Sequence, residues 1–67
     1  MNVGDLVRYK SFKYRMGLVI DIIKERETDP ILVLWNKPDP SGNRQWCVNS
    51  TWIQVKSKGR YGWKDAL

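Results

Sequence analysis

The sequence predicts an all-β fold: a small five-stranded barrel with a 3₁₀ turn between strands 4 and 5 and a short C-terminal tail. Two observations carry this expectation. Short runs rich in Val, Ile, Leu and Trp recur, with turn signals every eight to twelve residues or so. A tight polar step, Asn49-Ser50-Thr51, then separates the last two runs and has the length of a single 3₁₀ turn.

Taken in order, Val3 to Lys10 reads as the first strand, with Val3, Val7 and Tyr9 on one face and Leu6, Arg8 and Lys10 on the other. Ser11 to Met16 is polar, basic and aromatic, and reads as a loop. Gly17 opens the second strand, Leu18 to Ile23, whose nearly continuous β-branched character suits a strand covered on both sides. The extension Lys24-Glu25-Arg26-Glu27 would suit a helix, but Val and Ile dominate the run before it. Glu25 to Pro30 reads as a hairpin loop, and Ile31 to Trp35 as the third strand. Asn36 to Asn43 is dense in turn formers, with Ser41-Gly42 at the tip. Gln45 to Val48 and Trp52 to Lys56 supply the fourth and fifth strands. Residues 1–56 thus form one barrel. Residues 57–67 hold two glycines, several charges and no periodicity, and read as a basic aromatic tail.

Val3-Gly4-Asp5-Leu6-Val7, Gly17-Leu18-Val19-Ile20 and Val48-Asn49-Ser50-Thr51-Trp52-Ile53-Gln54-Val55 together resemble the SH3-like barrel, the fold shared by Tudor and KOW modules. The resemblance covers residues 3–56. It implies a long first loop that binds together with the strand faces beside it. The Leu32-Val33-Leu34-Trp35 block and the spacing of Trp46 from Trp52-Ile53 also resemble small uncharacterised proteins of tailed marine bacteriophages, especially cyanophages. That likeness implies a phage setting and no particular activity.

The chain has 67 residues, so one core must suffice. Such a core rarely gives more than roughly 3–5 kcal/mol of net stability. Cys47 is the only cysteine and there is no histidine, so neither an intramolecular disulfide nor a zinc site is expected. Four Trp, three Tyr and one Phe must carry the packing. No cofactor or metal is expected. The longest apolar run, Ile31 to Trp35, is too short to cross a bilayer. With no signal peptide before Val3, the expected location is the cytoplasm, that of the host if the chain is phage-encoded, or the virus particle. On that reading the sequon Asn49-Ser50-Thr51 is coincidental.

Catalysis fits poorly. No histidine is present to move protons near neutral pH. Cys47 lies in an apolar strand with no base nearby and reads as inert core. Glu25, Glu27 and Asp29 share a loop and read as solvated charges. Gly59 and Gly62 precede no helix pattern and form no phosphate loop.

Binding fits better. The net charge is +5, and the excess lies at the two ends of the chain. Arg8, Lys10, Lys13 and Arg15 stand against Asp5 alone in residues 1–15; Lys56, Lys58, Arg60 and Lys64 stand against Asp65 alone in residues 56–67. In the first loop the bases interleave with Tyr9, Phe12 and Tyr14. In the tail they interleave with Tyr61 and Trp63. Cations neutralise phosphates and aromatic faces stack on unpaired bases. The candidate nucleic-acid-binding residues are therefore Arg8, Lys10, Phe12, Lys13, Tyr14, Arg15, Lys58, Arg60, Tyr61 and Trp63. The same aromatics also suit anchors for a long loop, or a cap on an open barrel edge. Trp35 reads as core. Trp46 and Trp52 are candidates for a protein-binding groove, the alternative being a protein-interaction module, a minor particle component or a regulator of a host protein. An aromatic cage for a methylated cation, from Tyr9, Phe12, Tyr14 and a Trp, is a further arrangement of the same rings.

Overall fold

The computed structural model describes residues 1–56 and 62–66. Six strands form one curled antiparallel half-barrel. They are β1 (Leu6–Tyr9), β2 (Met16–Ile22), β3 (Ile31–Trp35), β4 (Gln45–Val48), β5 (Ile53–Lys56) and β6 (Trp63–Asp65), in the order β4-β3-β2-β1-β5-β6. A 3₁₀ turn, Ser50–Trp52, joins β4 to β5. Asn49 caps it, with Oδ1 accepting from the Thr51 amide and hydroxyl, each at 2.9 Å. The sequon step thus has a structural role of its own.

Alternation along the strands explains the core. Val7, Val19, Ile31, Val33, Trp35, Val48 and Ile53 are all buried on the concave face, and Tyr9, Ile22, Trp46 and Val55 pack against them. Gly17 lies on this face opposite Trp35, where β2 and β3 approach closely. A Cβ there would sit 2.5 Å from the Leu34 carbonyl oxygen and 2.6 Å from Val33 Cγ1.

Four expectations change. The described residues form six strands, not five, because Trp63–Asp65 pairs with β5 in the register Lys56↔Trp63, Val55↔Lys64 and Gln54↔Asp65. A segment with no periodicity of its own becomes a strand because β5 offers it an unpaired edge. Second, β1 begins at Leu6. Val3 and Gly4 form a turn closed by the Asp5 amide donating to the Asn2 carbonyl at 3.1 Å, with Gly4 at φ 96°. A positive φ at the third turn residue suits glycine.

Third, β2 is covered on one face only, and Leu18 and Ile20 are exposed. The unbroken apolar run has another cause, a β-bulge. The register passes from Val19↔Val33 to Asp21↔Leu32, so Ile20 has no partner. The extra residue reverses which side chains face inward. Asp21 turns outward and Ile22 reaches the core. Across the convex face Leu6, Leu18 and Leu34 stand directly opposite one another and exposed. Fourth, Cys47, expected as core, is half-buried opposite Leu32 on the same face.

Candidate nucleic-acid interface

A platform of three rings closes one end of the half-barrel. Tyr9 at the end of β1 stacks on Trp35 at the end of β3, with centroids 4.7 Å apart and planes 15° apart. Trp46 of β4 stacks on Trp35 at 5.4 Å and donates its indole N–H to the Tyr9 hydroxyl at 2.8 Å. Trp35 is 1% exposed and its own indole N–H has no acceptor among the described residues. Leaving such a donor unpaired costs about 1–3 kcal/mol. The apolar area buried by so large a ring offsets that cost.

The β1–β2 loop rises from this platform. The Arg15 amide donates to the Phe12 carbonyl at 2.9 Å and the Tyr9 amide to the Arg15 carbonyl at 3.2 Å. The resulting turn lifts Phe12 and Tyr14 to the surface, 53% and 60% exposed. Their rings meet edge to face at 6.1 Å. Asn36, just after β3, holds the loop's return. Its Nδ2 donates to the Tyr14 carbonyl at 3.2 Å, and its Oδ1 accepts from the Met16 amide at 3.1 Å.

Cations surround these rings. The Arg15 guanidinium lies 5.5 Å from the Trp46 centroid and the Lys37 ammonium 5.2 Å from that of Tyr14. Lys13 is exposed at the turn. Lys10 pairs with Asp65 of β6 at 3.5 Å. Two clefts open here. One, of about 370 Å³, is lined by Tyr9, Phe12, Tyr14 and Arg15. The other, of about 320 Å³, is lined by Tyr9, Lys10, Ser11, Phe12, Thr51 and Trp52. Among the described residues no carboxylate lines either cleft; Asp65 stands beside the second, paired with Lys10. This disfavours a cage for a methylated cation in the first cleft, since Arg15 would repel one at close range.

The structure thus brings together Lys10, Phe12, Lys13, Tyr14 and Arg15. Arg8 lies elsewhere, on the convex face. Its Nε donates to Gln54 Oε1 at 3.0 Å, and its guanidinium stands 4.5 Å from the Trp63 centroid. Trp63 has Lys56 5.7 Å from its centroid, so its ring sits among β1, β5 and β6. Lys58, Arg60 and Tyr61 lie outside the described residues. The two candidate anchors separate: Trp46 is half-buried in the platform, while Trp52, 48% exposed, walls the second cleft.

Sequence reasoning missed Asn36, Lys37 and Thr51. Asn36 and Lys37 carried only a turn signal, and nothing in their spacing pointed back to Tyr14. In the same β3–β4 loop the Asp39 carboxylate accepts from the Ser41 hydroxyl at 2.6 Å and from the Ser41 and Asn43 amides at 2.9 Å each. The Ser41 hydroxyl, and then the Asn43 amide, hold this carboxyl below its ordinary range.

Among the described residues no cluster of side chains could hold a metal ion, and no helix is long and apolar enough to cross a membrane. Comparison with protein families, with curated proteins and with solved structures finds no match to the chain.

Proposed function

We propose that this chain is a non-enzymatic binding module with an SH3-like strand plan, and that its partner is nucleic acid. One observation carries the reading: Phe12 and Tyr14 are exposed on an anchored loop, among Lys10, Lys13, Arg15 and Lys37, beside clefts that no carboxylate among the described residues lines. Surfaces that track a phosphate backbone and stack its bases have this composition. Arg8 is engaged with the Trp63 ring on the convex face and contributes its charge to the general positive field. The phage resemblance makes the host cytoplasm or the virus particle the proposed setting.

The test is fluorescence anisotropy with labelled single-stranded DNA, single-stranded RNA and duplex DNA at low and physiological salt. Micromolar or tighter binding that falls steeply with salt is expected. Replacing Lys13 and Arg15 by Ala removes two phosphate contacts and makes the log–log salt slope shallower by roughly 1.4 on a single strand. Absence of binding at low salt overturns the proposal.

A further inference from the structure

We infer that Phe12 is a partition between two base sites, so that the module takes two consecutive unpaired nucleotides; this rests on the nucleic-acid reading above. The two clefts share two walls, Tyr9 and Phe12. Beyond those each has its own exposed aromatic, Tyr14 in one and Trp52 in the other. Each also has its own cation, Arg15 in one and Lys10 in the other; Lys10 pairs with Asp65 at 3.5 Å, an exposed and therefore weak pair that a phosphate would have to displace. The set is therefore doubled: one private ring and one positive group on either side of a common ring. A nucleotide strand repeats in the same way, one flat base and one phosphate at a time.

Size and anchoring agree with this assignment. At about 370 and 320 Å³ the clefts lie at the small end of ligand sites, which run from roughly 300 to 1,000 Å³. Each suits a single planar ring system. The partition is held from both sides: the Phe12 carbonyl accepts from Arg15, and the ring abuts Tyr14 edge-on. A duplex keeps adjacent bases stacked and paired, so two of them cannot straddle Phe12 without coming apart; the preferred ligand is a single strand. The clefts also differ in polarity. Ser11 and Thr51 line only the second, so aliphatic hydroxyl groups belong to that cleft, whereas the first has the phenol of Tyr14. The Thr51 hydroxyl is oriented by the Asn49 side chain at 2.9 Å.

The experiment counts bases. Labelled five-position DNA and RNA strands carry abasic sugars everywhere except at none, one, two adjacent, two separated or three adjacent positions, and are titrated by anisotropy at low salt. Affinity is expected to rise roughly 5- to 150-fold with each of the first two adjacent bases. It is then expected to stay within about twofold at the third. Two separated bases bind more weakly than two adjacent ones. Phe12→Ala abolishes the advantage of two bases over one, and Phe12→Tyr restores it. Tyr14→Ala and Trp52→Ala each remove one increment and leave the other. All these side chains are exposed, and circular dichroism checks that each variant is folded.

The DNA and RNA arms show which sugar is accepted. Affinity that depends on salt but not on the number of bases overturns the two-site inference and leaves the nucleic-acid reading standing. Affinity that keeps climbing beyond two bases overturns it as well. No binding of any strand overturns both. A Phe12-dependent affinity for a proline-rich peptide, with none for the strands, overturns both in favour of a protein partner.

Discussion

Tyr9 has two duties that a single residue seldom combines. Its ring packs on Trp35 within the core, and its hydroxyl accepts the Trp46 indole hydrogen at 2.8 Å. The same ring walls both clefts. Core and proposed binding surface are therefore one continuous aromatic mass. Gly17 shows the opposite economy. Its missing side chain lets β3 approach until a Cβ would lie 2.5 Å from the Leu34 carbonyl oxygen. That neighbour is backbone and cannot rotate aside. Gly17→Ala is expected to cost about 1–3 kcal/mol. Urea denaturation reads this as a lower midpoint with an unchanged slope. An unchanged midpoint would mean that the two strands separate freely at that point.

At the scale of elements, the β3–β4 loop is organised by one carboxylate. Asp39 accepts from Ser41 and Asn43, and its amide donates to the Asn43 carbonyl at 2.8 Å, which sets Gly42 at φ 90°. Because these bonds favour the ionised form, the carboxyl titrates lower in the folded loop than in the unfolded chain. The sign follows from linkage. The stabilisation is complete above the ordinary carboxylate value and is lost as pH falls through the lowered, folded one. Acid titration followed by NMR is expected to move the Ser41 and Asn43 amide signals together, with a midpoint below the ordinary aspartate range. Asp39→Ala abolishes that transition. A midpoint at or above the ordinary range would refute the loop's charge dependence. Lys37 extends from the same loop to Tyr14, so this order reaches the proposed interface.

Over the whole molecule, a single curled sheet has one inside. The concave face takes the core, while Leu6, Leu18 and Leu34 are left exposed on the convex face. The two basic ends meet because β1 pairs with β5 and β5 with β6. There Arg8 and Lys56 stand around Trp63, and Lys10 pairs with Asp65. β6 thus closes the β5 edge, and Ala66 beyond it packs against the core, its amide donating to the Ile53 carbonyl at 3.2 Å. Truncation after Lys56 removes this strand. It is expected to destabilise the domain by about 1–3 kcal/mol, or roughly 4–24 °C in melting temperature. A melting temperature unchanged by truncation would show that β6 contributes nothing to the fold.

The sequence by itself determined the class and most of the strands. Ile31–Trp35 and Gln45–Val48 are bounded by strong turn formers and are rich in strand-favouring apolar residues, although which face each one buries shows only in the fold. The step at Asn49 to Thr51 carried its own capping chemistry and was legible for the same local reason. So were Phe12, Lys13, Tyr14 and Arg15, because they are neighbours in the chain. Tertiary structure alone decided the rest. β6 exists because an unpaired edge accepts it, and the bulge at Ile20 depends on the register with β3. Asn36, Lys37, Thr51 and Trp52 reach the first loop from segments distant in the chain. Capping and alternation act over a few residues, whereas an edge, a register or a cleft wall is set by which strands pair.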